Sequence, residues 1–154
     1  MKNMVTIVLV YMLLATGVHC RAQHSYPRVF VGSSPCNQVV PGMDTQFACE
    51  CIQWKLVLRA NDFSLHCAYG VPRPGSTAFK EGGKVVDLAG SWRAATGTAS
   101  APEAVVYRFT DSKTKKTFSF LRLSDQVLHL LDKADRLMIG TAAWSYTLSR
   151  TGSQ

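Results

Sequence analysis

Several features that mark common enzyme and membrane-protein classes are missing from this sequence. It contains no Gly-x-Ser-x-Gly, His-x-His or His-Glu-x-x-His pattern, so it lacks a sequence-local serine nucleophile or metal motif. No stretch keeps helical periodicity beyond two turns, and no internal repeat is visible. The long apolar run, Val5 to Ala15, has eleven residues, short of the roughly twenty that a membrane-spanning helix needs.

The same apolar run has the layout of a secretory signal peptide. Lys2 precedes it, and small and polar residues follow it, as in a charged start, an apolar centre and a cleavage region. Cleavage after Ala22 would leave Gln23 as the new N-terminus. The alternative is lipidation of Cys20, as in bacterial lipoproteins, although His19 stands where those signals usually have a small residue. We expect an exported protein that is periplasmic, associated with the outer membrane or extracellular, with no membrane-spanning helix in the mature chain.

Composition and charge indicate one small globular domain. Hydrophobic residues make up 47% and charged residues 18% of the chain, which is typical of a folded protein. Without residues 1–22 the net charge falls from +7 to +5, because two basic residues lie in that segment. The tight basic cluster is Lys113, Lys115 and Lys116, which we interpret as a solvated hairpin end. A nucleic-acid partner is not expected, since it would need a longer basic stripe.

A period-two pattern predicts a hairpin in the middle of the chain. Residues 52–59 are large and apolar at even positions, and residues 63–69 are apolar at odd positions. Asn61 and Asp62 supply turn residues, and the change of parity is what a two-residue loop requires. The predicted core face consists of Trp54, Leu56, Leu58, Phe63, Leu65 and Tyr69.

Further strand-like runs extend this pattern to the end of the chain. They cover residues 84–92, 104–110, 117–123, 127–132, 137–139 and 143–149. The sequence therefore predicts an all-β fold, a small antiparallel meander barrel, lipocalin- or OB-like, of seven to eight short strands. The predicted divisions are a signal peptide at 1–22, an irregular Pro/Gly-containing segment at 23–47 and a β-barrel domain at 48–150. Five aromatic side chains are predicted to point inward, where they either pack in the core or line a ligand cavity: Trp54, Trp92, Trp144, Tyr107 and Phe109.

The four cysteines after the signal peptide are disulfide candidates: Cys36, Cys49, Cys51 and Cys67. An even number in an exported chain indicates two bridges, with three possible pairings. Cys49 and Cys51 would lie about 6.5–7 Å apart in an extended chain, at or beyond the limit for a direct bond. Each of the two would then pair with Cys36 or Cys67. Of the two pairings that remain we favour Cys36–Cys49 and Cys51–Cys67, although strand parity places Cys51 on the outer face and Cys67 on the inner face.

A metal site is the competing interpretation of the cysteines. Thiolates of Cys49 and Cys51, with His66 or Met43, are the ligand types that a soft cation such as Cu(I) selects. An oxidising compartment disfavours free thiolates, so disulfides are the preferred interpretation and no resident cofactor is expected. The histidines are isolated in sequence, which is typical of surface residues.

The order of these features resembles the N-terminal domain of the NlpE family, bacterial envelope proteins associated with copper resistance and envelope-stress signalling. The resembling pieces span about residues 36–150 and are Ala48-Cys49-Glu50-Cys51-Ile52, Tyr69-Gly70, Gly90-Ser91-Trp92, Leu128-His129-Leu130-Leu131-Asp132 and Trp144-Ser145-Tyr146-Thr147-Leu148. The resemblance implies a small β-barrel outside the cytoplasm, a binding or sensing role and no catalysis. The family has two residues between its cysteines where this chain has only Glu50, and its metal or redox role is tied to that motif.

Three functions follow as hypotheses. The first is an exported non-enzymatic envelope domain of NlpE type, which responds to copper or envelope stress and whose partner is an envelope protein or a small ligand. The second is a carrier of small hydrophobic ligands in the barrel interior, and the third is an extracellular enzyme or enzyme inhibitor. A filled barrel with cysteines near one rim would favour the first, a large internal pocket the second, and a Ser/His pair or clustered carboxylates in a cleft the third.

Overall fold

The computed structural model describes residues 27–36, 40–98 and 100–152. The predictions on residues 1–22, on cleavage after Ala22 and on Cys20 lie outside these residues. The described chain contains one short 3-10 helix, Lys80–Gly82, and no helix in it has the length and apolar character needed to cross a membrane. Its eight strands are β1 (Arg28–Pro35), β2 (Cys51–Leu58), β3 (Asp62–Gly70), β4 (Lys84–Thr96), β5 (Val105–Asp111), β6 (Thr117–Arg122), β7 (Val127–Leu130) and β8 (Thr147–Arg150).

The eight strands form a closed antiparallel barrel in chain order. Each strand pairs with the next one in sequence, and β8 returns to β1 through Phe30 opposite Arg150 and Val31 opposite Ser149. In the described chain every strand therefore has a paired neighbour on each side, the arrangement by which a barrel removes edge strands. The predicted all-β meander barrel is therefore confirmed.

The β2–β3 hairpin has the predicted core face. Leu56 lies opposite Leu65 and Leu58 opposite Phe63, so the apolar phases of the two strands meet on the inside. The Arg59 N–H donates to the Asp62 carbonyl oxygen at 2.9 Å and closes the turn. All six predicted face residues are buried: Trp54, Leu56, Leu58, Phe63, Leu65 and Tyr69.

Aromatic side chains pack in the barrel interior. The rings of Phe109 and Phe118 stack with centroids 5.0 Å apart, and Phe63 meets Phe109 edge-on at 5.1 Å. Trp54 packs edge-on against Phe120, and its indole Nε1–H donates to the buried Ser34 hydroxyl at 2.9 Å. Such ring pairs add stability beyond their buried area, and an eight-stranded barrel is just wide enough for side chains to fill it.

The first strand lies where the sequence predicted an irregular segment. β1 occupies Arg28–Pro35, within the range 23–47, so the barrel begins about twenty residues earlier than predicted. A Cβ at Gly32 would come within 2.5 Å of the Thr147 carbonyl oxygen. This glycine therefore allows β8 to approach β1 where the barrel closes.

The predicted strands near the C-terminus differ from the structure as well. Residues 137–139 form no strand; Leu137 makes a single isolated bridge to Leu131, and Ile139 is 92% exposed. The last strand is only Thr147–Arg150, shorter than the predicted range 143–149. Trp144, predicted to face inward, lies before it and is half-buried.

Candidate functional site

One disulfide closes the connection between β1 and β2. Cys36 and Cys49 are bonded, with Cα atoms 5.9 Å apart, as the favoured pairing predicted. The Cys36 N–H donates to the Glu50 carbonyl oxygen at 3.3 Å, which continues the β1–β2 ladder to the bond. The bond defines a closed segment, the disulfide loop (residues 36–49), of which residues 40–49 and Cys36 are described.

The second predicted bond, Cys51–Cys67, is not formed. Both thiols are free and buried, so the prediction that no free thiol remains is wrong. Cys51 lies opposite Gly70 and Cys67 opposite Trp54, which separates the two cysteines by three residues, roughly 10 Å, along β3. They also lie on opposite faces of the sheet, since the odd positions of β2 point outward and those of β3 inward.

Burial keeps the two free thiols protonated. Desolvation raises the pKa of Cys51, and a hydrogen bond with Ser33 opposes the shift in part. The pKa of Cys67 is raised further, first by its burial in the core and then by the negative charge of Asp87. A protonated, buried thiol is a poor nucleophile and a poor metal ligand.

The predicted metal ligands Cys49, Cys51 and His66 are not brought together. Cys49 is held in the disulfide, and His66 lies opposite Lys55, four residues or about 13 Å along β3 from the partner of Cys51. The alternative ligand Met43 packs against the core. Among the described residues, no cluster of three or more His, Cys, Asp or Glu side chains could hold a metal ion, and Cu(I) binding stays a prediction.

The described residues 40–49 of the disulfide loop cover one end of the barrel. Val40 is 4% exposed within the main core cluster, and Met43 and Phe47 pack against that cluster. Phe47 meets Tyr69 edge-on at 5.9 Å, and the Asp44 N–H donates to the Tyr69 hydroxyl at 3.0 Å. These contacts attach the loop to the end of β3.

An ion pair attaches the same loop to the start of β4. The Lys84 ammonium donates to an Asp44 carboxylate oxygen and lies 4.8 Å from the centre of the Phe47 ring. This hydrogen bond raises the pKa of Lys84 and, with a second bond from the Gln46 N–H, lowers the pKa of Asp44. The pair is solvent-exposed, so it orients the loop more than it stabilises the fold.

A groove of about 590 Å³ separates the disulfide loop from the connections on the far side of the barrel. The loop forms one wall, and the turns after β5 and β7 form the other. Apolar side chains and cationic side chains both line it; we call it the basic groove, and its lining includes Val40, Met43, Phe118, Leu131, Arg108, Lys115, Lys116, Lys133, Asp132 and Asp135.

Both carboxylates of the basic groove already have partners. Arg108 makes a two-pronged contact with Asp135, with N–O distances of 3.2 and 2.7 Å. Asp132 accepts the Arg136 guanidinium at 2.8 Å and backbone N–H groups of its own turn. The hydrogen bond from the Arg136 N–H is the leading cause of the lowered pKa of Asp132.

A buried carboxylate fixes the shape of the β5–β6 turn, where the predicted lysine cluster lies. Asp111 is 1% exposed and accepts the N–H and the hydroxyl of Thr114, both at 2.7 Å. These two bonds lower the pKa of Asp111. Lys115 follows with φ of 60°, a left-handed conformation that is strained for a residue with a Cβ.

A second groove, of about 610 Å³, lies on the outer face of β2, β3 and β4. It contains His66, whose Nδ1 lies 2.8 Å from an Asp87 carboxylate oxygen, together with Lys55 and Ser64. The His66 and Asp87 side chains are 51% and 71% exposed, and no hydrogen bond in the described chain joins Ser64 to His66. The groove thus holds a solvated hydrogen-bonded pair without an activated nucleophile.

Sequence reasoning found the lysine turn but missed its neighbours. Asp111-x-x-Thr114 is a local signal for a side-chain-capped turn, and it could have been noticed. The approach of Lys133 and the disulfide loop depends on barrel closure, for which the sequence has no local signal. Comparison with family models, curated proteins and solved structures gives no match for this chain, so the functional assignment depends on the residues themselves.

Proposed function

We propose that this chain is an exported, non-enzymatic envelope domain of NlpE type with a binding or sensing role, and that the disulfide loop is its responsive element. One observation carries the proposal: the loop is closed by Cys36–Cys49, covers the barrel end and forms a wall of the basic groove. A change in this one bond therefore acts on a surface that can bind a partner.

The packing of the interior favours this function over a carrier. A carrier needs a hollow barrel, whereas Phe109, Phe118 and Phe120 contact one another at the centre with ring centroids 5.0–6.2 Å apart. The enzyme alternative has weaker support, because the His66–Asp87 pair is open to solvent and exposed charges are screened by water.

Copper sensitivity, which the resemblance implies, requires the reduced form. In the oxidised form the free thiols are Cys51 and Cys67, both buried. Two-electron reduction of Cys36–Cys49 by an external dithiol supplies two further thiols at the end of the ladder where Cys51 lies opposite Pro35. Thiolates are the ligands that Cu(I) prefers.

A Cu(I) competition titration of the oxidised and reduced protein tests this proposal. The reduced protein should bind Cu(I) more tightly than the oxidised protein, and the oxidised protein no better than Cys49→Ser/Cys51→Ser. Cys36→Ser/Cys49→Ser should show no difference between reducing and oxidising conditions. Reduced protein that binds Cu(I) no better than the Cys49→Ser/Cys51→Ser variant would contradict copper sensing.

Export has its own test. Mass measurement of the protein from its native host should give a chain that starts at Gln23. A diacylated Cys20 would change the processing route but keep the export prediction, while retention of Met1 would refute it.

A further inference from the structure

We propose that the basic groove binds a phosphate group, with the ammonium groups of Lys115, Lys116 and Lys133 as its contacts. This inference rests on the proposed function, because it takes the groove to be the binding surface, and it adds the chemical class of the ligand. Three features of the groove support a phosphate ligand: the charge that remains unpaired, the conformation of the turn that carries it, and the chemistry of the side chains around it.

The first feature is the charge balance of the basic groove. The groove has two carboxylates, and both have partners: Asp135 with Arg108, and Asp132 with Arg136. The Lys116 N–H donates to the Thr114 hydroxyl at 3.3 Å, but within the described part of the chain no ion pair or hydrogen bond involves the ammonium group of Lys115, Lys116 or Lys133. Three cations therefore line one concave surface without a matching anion, which raises the local concentration of anionic ligands.

The second feature is the conformation of the β5–β6 turn. Thr114 is bonded twice to the buried Asp111 carboxylate, and the Lys115 N–H donates to the Asp111 carbonyl oxygen at 3.0 Å. These bonds hold Lys115 at a φ of 60°, where glycine or asparagine would be less strained. A strained backbone that keeps a charged side chain in place is typical of functional positions.

The third feature is the chemistry of the lining side chains, which bears on the anion that the groove binds. A phosphate group carries about two negative charges and several acceptor oxygens at neutral pH, so separate ammonium groups can bind it together as point charges. Arg108, the one arginine among the described lining residues, has its fork occupied by Asp135. Apolar side chains of Val40, Met43 and Leu131 lie beside the lysines, so a phosphate attached to an apolar group is accommodated as well as a free one.

Two titrations of the oxidised protein separate the sources of the phosphate group. One uses inorganic phosphate and pyrophosphate, followed by NMR shifts of the turn amides. The other uses sedimentation with vesicles of phosphatidylglycerol and phosphatidylcholine, compared with phosphatidylcholine alone. Binding of the soluble anions assigns a free phosphate ligand, and binding only to the anionic vesicles assigns a lipid headgroup.

Two variants and one control test which residues bind. Replacement of Lys115, Lys116 and Lys133 together by Gln should raise the apparent Kd at least about tenfold. Lys115→Gly removes one contact but relieves the strained φ, so it should weaken binding while the melting temperature stays equal or rises. Lys55→Gln removes an equal charge from the outer-face groove and should change the Kd less than about twofold.

The outcomes separate this inference from the proposed function. It is overturned if neither phosphate nor anionic vesicles bind, or if Lys55→Gln weakens binding as much as a groove lysine does. If the natural protein binds no phosphate group but keeps its Cu(I) response, the phosphate site alone is overturned. Phosphate binding without any response to the redox state would overturn the sensing proposal alone.

Discussion

The two ends of the barrel are closed by different means. At the end where β1 begins, the Arg28 guanidinium lies over the rings of Trp92 and Tyr107, 5.5 and 5.6 Å from their centres. The Trp92 indole N–H donates to the Arg59 carbonyl oxygen at 2.9 Å. At the end where β1 finishes, a covalently closed loop covers the core.

This difference concerns what each closure responds to. The Arg28 end is closed by stacking between side chains, which no redox reagent alters. The disulfide end depends on Cys36–Cys49 and borders the basic groove with its unpaired lysines. We infer that the Arg28 end serves stability and that the disulfide end serves recognition.

The largest effect is expected from the core that both ends share. Leu56 is fully buried, so Leu56→Ala removes packed methyl groups and leaves a cavity, at a cost of about 2–5 kcal/mol in the free energy of unfolding. Chemical denaturation measures this cost. Lys55→Ala, one residue away on the exposed face, is the matched control and should cost less than about 0.5 kcal/mol. A cost below about 0.5 kcal/mol for Leu56→Ala would mean that the inner and outer phases of β2 are reversed.

Loss of the disulfide should lower the free energy of unfolding by a similar amount. The structural loosening should be largest at the disulfide end. The bond has a sequence separation of 13, and closing a loop of this size contributes about 3 kcal/mol through the unfolded chain. Reductant should lower the denaturation midpoint of the natural chain and leave Cys36→Ser/Cys49→Ser unchanged. Thiol counting in denaturant, on the chain that starts at Gln23, should give two free thiols before reduction; a count of zero would restore the Cys51–Cys67 bond.

Acid should loosen the turn that carries the groove lysines. The folded pKa of Asp111 lies below its unfolded value because of the Thr114 hydrogen bonds. Its contribution to stability is therefore complete above about pH 4 and is lost as the pH falls through the lower folded pKa. Asp111→Asn should cost about 1–2 kcal/mol at neutral pH and flatten the acid limb of the stability profile. An unchanged acid limb would show that Asp111 is not paired in this way.

The smallest effect is expected at the Arg28 end. Arg28→Ala removes two cation–π contacts and should cost about 1 kcal/mol, with part of the loss restored in Arg28→Lys. Thermal unfolding measures the cost. The same variant should leave phosphate binding in the basic groove unchanged, since Arg28 lies at the opposite end of β1. Weakened phosphate binding in Arg28→Ala would show that the two ends are coupled.

Local patterns predicted the central hairpin, but barrel closure left no local signal. Strict alternation over residues 52–59 and 63–69 fixed the inner face, because neighbouring strands share one period. β1 was missed because Gly32, Ser33 and Ser34 interrupt its apolar alternation, and its partner β8 lies more than a hundred residues away.

The candidate site was predictable only where its chemistry is local. The lysine turn is local in the chain, and the extended-chain spacing argued against a Cys49–Cys51 bond while leaving Cys36 and Cys67 as possible partners of Cys49. The predicted Cys51–Cys67 bond was wrong because the prediction set aside strand parity, which places the two side chains on opposite faces of the sheet. The basic groove could not be predicted, since Lys133 and the disulfide loop meet the lysine turn only after the whole barrel has closed.

The most direct test of the account is amide hydrogen exchange of the disulfide loop in the oxidised and reduced protein. Reduction should accelerate exchange at residues 40–49 and leave the β2–β3 turn at residues 58–63, at the opposite end, as an unchanged reference. Cys36→Ser/Cys49→Ser should match the reduced protein under both conditions. Equal exchange of residues 40–49 before and after reduction would contradict a redox-responsive end, and equal acceleration at both ends would contradict the distinction between them.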